Sequence, residues 1–242
     1  MLSDELQQFL WNTKQPWFKL AYKMYWTQLD NIVNTKNLKI LDFGSGFGIT
    51  ANYLAKNNEV TAIDKNADMA EERERENNYT QIVGKIEKLR GFADNYFDVV
   101  VCHNVLEFEP ERAEYVKEFS RILKSGGIMS IMKHNKCGCI IRTAVFENNI
   151  DAALFQLDGG DRAHNAFGRV DYYNHEDLVK WGGNLKIEKI LGVQMFYGLQ
   201  QNNEAKYEPG WINKMFELEM KVCDLEPYKS IAFLHHVLLR KL

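Results

Sequence analysis

Seven residues, Asp42-Phe43-Gly44-Ser45-Gly46-Phe47-Gly48, set a carboxylate ahead of three glycines at alternate positions. Glycine tolerates positive φ and leaves the backbone bare, so a ligand can come against the main chain itself. Lys39 to Phe43, before the turn, read as a buried strand. Ile49 to Lys56, after it, read as a helix with Ala51, Leu54 and Ala55 placed to pack on a sheet. The unpaired N–H groups of such a helix start favour an electron-rich group. Strand, turn and helix together predict a ligand site at the carboxyl end of a strand, where open α/β sheets hold their ligands. A dinucleotide site needs glycines in the order G-x-G-x-x-G. Gly44 and Gly46 fit that order, but the third place is Ile49 and the extra glycine is Gly48. From the string alone, a nucleotide-dependent oxidoreductase and a glycine turn without a ligand stay open as alternatives.

Other chemistry-bearing residues fall at matching places. Asp64 ends the short apolar run Glu59 to Asp64, with Lys65 behind it. An acid at the end of a second strand accepts hydrogen bonds from ribose hydroxyls. Asn66 is the better cap for the helix that follows, and Met69, one turn in, offers a flexible apolar cover for a base. The run Val99 to Cys102 reads as a strand buried on both faces, and His103 and Asn104 emerge from its carboxyl end. Cys137-Gly138-Cys139 has no second pair at zinc spacing, so no metal is expected.

The elements that must position these groups alternate as βαβ units, which implies a parallel, doubly wound α/β sheet. Residues 1–36 are helical and aromatic, divided at Pro16, and predict a helical cover over the sheet or a lid over the ligand cleft. Residues 37–242 form the ligand-binding domain. Thr80 to Gly84 is a third strand, Pro110 opens a helix that Ser125-Gly126-Gly127 ends, and Ile128 to Lys133 is a fifth strand running out to His134-Asn135. Residues 136–184 break the alternation. This insertion, with Arg142, Asp161, Arg162, His164, Asn165, Arg169, Tyr172 and Tyr173, is placed to build a second-substrate site. Lys186 to Phe196 and Ile231 to Leu239 read as closing strands around a helix from Trp211 to Cys223. His235 and His236 fall one to each face of the last strand, which reads as structural.

The 242 residues are 45% hydrophobic, enough for a sizeable core. No apolar run reaches the ~20 residues of a membrane span. The N-terminus lacks the features of a signal peptide, and four cysteines suit a reducing compartment, so a cytoplasmic protein is expected. The formal net charge of -3 offers no support for a dedicated nucleic-acid binder.

D-x-G-x-G-x-G, followed by Asp64, FDVVVCHNVLEF and RILKSGGIMSIM, resembles the class I methyltransferases that use S-adenosylmethionine. The segments CHNVLEF, SIMKHN, GVQMFYGL and FELEMKVCDLEPY are similar to the bacterial tRNA 5-carboxymethoxyuridine methyltransferases, the SmtA-like family. The resemblance implies a seven-stranded Rossmann-like sheet with its last strand antiparallel. It implies S-adenosylmethionine as cofactor, touched by Gly44, Ser45, Asp64, the stretch around Lys85 and Ile86, and His103, with Glu87 as an acid near the adenine; the residues themselves add Asp42, Gly46, Lys65 and Met69 as expected contacts. The chain departs from the family at Asp158 to Arg162, where the family has a lysine-rich run, at Asp224, where it has a base, and at Ala21, where it has an arginine.

The implied reaction is O-methylation of a carboxylate, with a modified tRNA wobble uridine as the finer candidate. A carboxylate is ionised at neutral pH and needs no general base. It needs a cation and hydroxyl donors, and Arg142, Arg169, Tyr172, Tyr197 and Tyr228 are the candidates, with Arg169 favoured for its bidentate fork. No catalytic acid–base pair is assigned; an amine or phenol acceptor would call on His103 or His134. The alternatives are a small-metabolite methyltransferase, a non-catalytic cofactor-binding regulator and an oxidoreductase. The oligomeric state is not legible in the sequence.

Overall fold

The computed structural model describes residues 2–34, 36–160 and 167–242. Asp161, Arg162, His164 and Asn165 of the insertion lie outside the described residues. The strands are β1 (Lys39–Phe43), β2 (Glu59–Asp64), β3 (Thr80–Val83), β4 (Phe97–His103), β5 (Leu123–His134), β6 (Leu185–Val193) and β7 (Leu234–Lys241). They form one sheet in the order β3-β2-β1-β4-β5-β7-β6. The first five pair in parallel, and β7 runs antiparallel to both β5 and β6. The seven-stranded α/β sheet expected from the sequence, with its last strand reversed, is therefore the fold. Connections leave β1 toward β2 on one side and reach β4 on the other, which opens a crevice at the carboxyl ends of β1 and β4.

The helices are α1 (Asp4–Thr13), α2 (Pro16–Asp30), α3 (Ile49–Ala55), α4 (Ala67–Glu71), α5 (Arg112–Ile122), α6 (Lys136–Val145), α7 (Ile150–Leu157), α8 (His175–Gly182), α9 (Pro209–Val222) and α10 (Tyr228–Ile231). Alternation along each strand sends one set of side chains to each face. Ile40, Val60, Val99, Val101 and Ile128 meet α2, α3 and α9 on one face. Leu41, Phe43, Val100, Cys102 and Met129 meet α5 and α8 on the other. Among the described residues, no helix is long and apolar enough to cross a membrane.

The N-terminal segment divides at Pro16, which takes the first position of α2, where its missing N–H costs nothing. Leu20, Met24 and Leu29 of α2 are buried, and burying each contributes about 1.5–3 kcal/mol. So α2 is part of the core rather than a loose lid. By contrast, α1 has Thr13 as its buried residue and holds by the ring of Phe9 against Phe18, Phe47 and Phe167.

Several boundaries differ from the sequence expectation, and the last strand begins at Leu234 rather than at Ile231, which lies in α10. Pro110 precedes α5, whose cap is Glu111. Ser125-Gly126-Gly127 does not end that helix but lies inside β5, because Leu123 already pairs with Phe97 of β4. A Cβ on Gly127 would stand 2.8 Å from the Asp98 carbonyl oxygen, so close strand approach is what demands glycine there. And β6 stops at Val193, where Gln194 turns to φ 64.

That last turn is held by a buried carboxylate. Glu219 of α9 accepts from the backbone N–H groups of Met195, Phe196 and Tyr197 at 3.0, 2.9 and 3.0 Å. Glu219→Ala leaves three buried donors unpaired, and at about 1–3 kcal/mol per orphaned group the variant is expected to lose about 3 kcal/mol or more of stability in urea denaturation. An unchanged midpoint would show the turn to be held by packing alone.

Candidate functional site

A cleft of about 1750 Å3 opens at the carboxyl ends of β1 and β4. Cofactor and drug pockets usually occupy about 300–1000 Å3, so this cleft has room for a cofactor and a second molecule. Its floor is the glycine turn. Gly44, Gly46 and Gly48 all take positive φ, at 76, 54 and 68°. A Cβ on Gly44 would lie 2.2 Å from Val105 Cγ2, so no other residue fits that turn without displacing its wall.

Asp64, at the end of β2, binds the turn: its Oδ2 accepts from Gly46 N–H at 2.6 Å and its Oδ1 from Asn66 N–H at 2.7 Å. Each carboxylate oxygen has a second lone pair, so a ribose diol would complete this set. Burial raises the Asp64 pKa, and the Asn66 and Gly46 amides pull against that rise. Asn66, as expected, caps α4, its Oδ1 accepting from Met69 N–H at 3.0 Å. Met69 lines the cleft and is buried; Lys65 also lines it but pairs with Glu109 at 2.7 Å.

Asp42 and His103 end neighbouring strands on the face covered by α2. Both line the cleft. Asp42 Oδ2 and His103 Nδ1 are buried with no hydrogen-bond partner among the described residues. Buried acceptors are normally satisfied, so the pair calls for a ligand that brings donors. The ammonium group of S-adenosylmethionine's amino-acid tail fits that requirement. Burial, with the neighbouring Asp64 charge, pushes the Asp42 pKa up to about 7.

The folded protein then holds a proton on Asp42 that the unfolded chain gives up near pH 4, so stability from this group is present at low pH and declines as pH rises toward 7. A cationic ligand favours the ionised form. S-adenosylmethionine affinity is therefore expected to weaken by up to about tenfold per unit below about pH 7, with one proton released on binding there. Calorimetry in buffers of different ionisation enthalpy reads this directly. An affinity independent of pH in the wild type, or the same dependence in Asp42→Asn, would remove Asp42 from the cofactor.

The outer half of the cleft is built by α6, α7 and the turn at Ala205–Tyr207. Arg142 of α6 sits over the rings of Phe146 and Phe233, 5.0 and 4.8 Å from their centroids, and pairs with Glu147 at 3.5 Å. Lys206 is 5% exposed, lies 5.4 Å from the same Phe146 centroid and donates to Asn203 at 3.0 Å. Burial lowers the Lys206 pKa, and the Arg142 charge adds to the shift. Gln156 Nε2 donates to Thr143 Oγ1 at 3.1 Å, locking α7 to α6. His134, also in the lining, has Nδ1 2.7 Å from Oε1 of Glu107, whose side chain is 2% exposed.

The structure sorts the sequence candidates. Asp42, Gly44, Ser45, Gly46, Asp64, Lys65, Met69, Lys85 and His103 all line the cleft, as do Arg142 and Tyr197. Ile86 does not: its side chain packs into the core on the α5 face. Glu87 is exposed and turned back to accept from Lys85 N–H at 3.1 Å, so it does not serve as an adenine acid. Arg169, exposed on a connecting segment, Tyr172 and Tyr228 are outside the lining; Tyr228 packs edge-on against Phe196. Tyr197 is in place, but its hydroxyl donates to the Trp17 carbonyl and accepts from Gln194 at 2.5 Å. Sequence reasoning passed over Lys206, Glu107 and the α2 tyrosines Tyr22 and Tyr25. Tyr22 and Tyr25 read from the sequence only as part of the aromatic N-terminal cover; tertiary folding brings them and Lys206 to the cleft and sets Glu107 behind His134. Among the described residues no group of three or more His, Cys, Asp or Glu is arranged for a metal.

Comparison with known proteins bears on the family and the fold. Residues 41–131 match a family model described as a methyltransferase domain. The tRNA 5-carboxymethoxyuridine methyltransferase of Escherichia coli is 24% identical over 237 residues, covering 92% of this chain and 88% of that protein. A ubiquinone biosynthesis O-methyltransferase of Coxiella burnetii is 26% identical over 214 residues, covering 78% and 85%. The crystal structure of an S-adenosylmethionine dependent methyltransferase from Mesorhizobium loti shares the fold, with a TM-score of 0.56 at 14% identity over 89% of this chain and 97% of that one.

Proposed function

Because this protein is a class I methyltransferase whose cofactor is S-adenosylmethionine, we propose that its acceptor is an anion, methylated on a carboxylate oxygen. The observation that supports this reading is the meeting of Arg142 and the buried Lys206 in the outer cleft, where Glu147 is the carboxylate paired with Arg142. A buried lysine is expensive unless it serves a counter-charge. In a protein of net charge -3, two converging cations mark the place where an anion is wanted.

When bound, the cofactor supplies a methyl group already activated on a sulfonium. The protein's part is then to orient the acceptor and keep water out. Arg142 would hold the carboxylate through its planar fork, braced by Phe146 and Phe233 beneath it. Lys206 would steer the anion as a point charge. Phe9, Phe47 and Phe108 line the cleft and would help to exclude solvent. A carboxylate needs no proton removed, so no base takes part.

The E. coli relative acts, by its name, on tRNA 5-carboxymethoxyuridine, which carries such a carboxylate. That nucleoside within tRNA is the acceptor to test first. The experiment incubates purified protein with methyl-labelled S-adenosylmethionine and either bulk bacterial tRNA or a small-molecule extract. Base-labile label in either fraction, the mark of a methyl ester, supports a carboxylate acceptor and tells which class holds it. Label that resists base would overturn it.

One observation favours a second reading. The His134–Glu107 pair is arranged like a histidine oriented by a buried acid, with Nε2 the ring nitrogen left outside the pair. That arrangement suits a hydroxyl acceptor that must lose a proton, and base-stable label abolished by His134→Ala would select it.

A further inference from the structure

His103 is one end of a buried hydrogen-bond chain that crosses three strands and ends on α2. Its direction is set at the far end. The Gly192 carbonyl only accepts, so Gln28 Nε2 donates to it, at 3.0 Å. Gln28 Oε1 therefore faces His236 Nδ1, at 2.8 Å. An amide oxygen also only accepts, so His236 carries its proton on Nδ1. His236 is fully buried, and burial holds it neutral, so its Nε2 is a lone pair. Ser130 Oγ lies 2.7 Å from that nitrogen and 2.8 Å from His103 Nε2. A hydroxyl has one proton to give. Ser130 donates it to His236 and accepts the N–H of His103.

His103 is thereby left with its lone pair on Nδ1, the buried atom without a partner. Burial lowers its pKa to about 3, so the ring is neutral and this lone pair stays bare. Register places the chain squarely. Met132 of β5 is opposite both His103 and His236, and Ser130 lies two residues before it on the same face. Apolar side chains at these positions would satisfy the core without the desolvation that four polar groups require. Every polar side-chain atom in the line has a hydrogen-bond partner except the last one, His103 Nδ1, beside the cleft.

We propose that Gln28, Ser130 and His236 are positioning residues that hold His103 in its Nε2–H tautomer, so that Nδ1 accepts an N–H from the ammonium end of S-adenosylmethionine beside Asp42. The inference rests on the cofactor lying across Asp42 and Asp64 as described above. It also gives the N-terminal helix a function: Gln28 of α2, not a residue of the cleft itself, is the origin of the order that reaches the ligand.

The test has two readouts. In the protein alone, nitrogen-15 NMR of labelled histidines should show His103 protonated on Nε2 and not on Nδ1. The opposite tautomer in the wild type would overturn the proposal, and this measurement needs no cofactor. Ser130→Ala then cuts the chain with a small change of volume. It should weaken S-adenosylmethionine about tenfold in calorimetry, as loss of one hydrogen bond to a charged group would. Affinity for 5′-methylthioadenosine, which has the adenosine and thioether but no amino-acid tail, should not change. Ser130→Thr, which restores the hydroxyl, should recover the affinity. Equal losses for both ligands would make the chain merely structural and overturn the proposal, as would no loss at all. If Asp64→Ala bound the cofactor normally, the cofactor placement would fail, while the tautomer result would stand on its own.

Discussion

Asp64→Ala should lose S-adenosylmethionine binding at concentrations that saturate the wild type, a drop of about 100-fold or more in affinity. The carboxylate already accepts from Gly46 and Asn66 at 2.6 and 2.7 Å, and so is fixed in position before any ligand arrives. Its remaining lone pairs would take both ribose hydroxyls. Two hydrogen bonds to a charged group, at about 1.5–3 kcal/mol each, amount to roughly 3–6 kcal/mol, and each 1.4 kcal/mol is about tenfold. Alanine also frees the Gly46 amide that shapes the glycine turn. Asp64→Asn separates these effects, because it keeps the shape and removes the charge. Calorimetry on both variants, with a thermal melt to show that they fold, gives the answer. Affinity within about tenfold of wild type for Asp64→Ala would sink the ribose assignment.

The second large effect is on the acceptor side. Arg142→Ala should leave S-adenosylmethionine affinity intact and lower kcat/KM for a carboxylate acceptor by about 100-fold, since removing one member of a desolvated charge pair costs roughly 2–5 kcal/mol. Arg142→Lys should recover little, because an ammonium cannot reproduce the two-pronged contact. Lys206→Met should fall in the same direction by a smaller factor, since that charge acts without a fork. The pair of readings in the outer cleft divides here. A hydroxyl acceptor would be nearly indifferent to Arg142→Ala and would stop with His134→Ala. Normal turnover in Arg142→Ala would take Arg142 out of the acceptor site.

Arg142 and Arg169 show how far the sequence could be read at the acceptor site. Both stand in the long segment after β5, and a guanidinium binds a carboxylate equally well from either position. The difference lies in where the chain carries them. Arg142 is on α6, which starts at the end of β5 and so stays beside the cleft. Arg169 follows α7 on an exposed segment and falls outside the lining. Lys206 shows the reverse: nothing in Ala205-Lys206-Tyr207 marks it as buried, yet folding places it 5.4 Å from the Phe146 ring centroid. The misplaced helix end at Ser125 to Gly127 has a similar cause. Glycines there read as a cap, but pairing of Leu123 with Phe97 draws them into β5.

The sequence by itself determined the strand–turn–helix around Asp42 and the acid at Asp64. It also determined the βαβ alternation of the parallel strands, while the seven-strand count and the reversed last strand were implied by the family resemblance. The turn and the alternation depend on the conformational range of glycine and on apolar periodicity, which act over a few residues and can be read in order. Only the tertiary structure decided which cations line the outer cleft and which hydrogen bonds reach His103. The second of these is set by hydrogen bonds from Ser130 to His236 and from His236 to Gln28, pairs 106 and 208 residues apart in the chain. A proton's place in such a line follows from what its farthest member can accept, and only the folded sheet brings that member within reach.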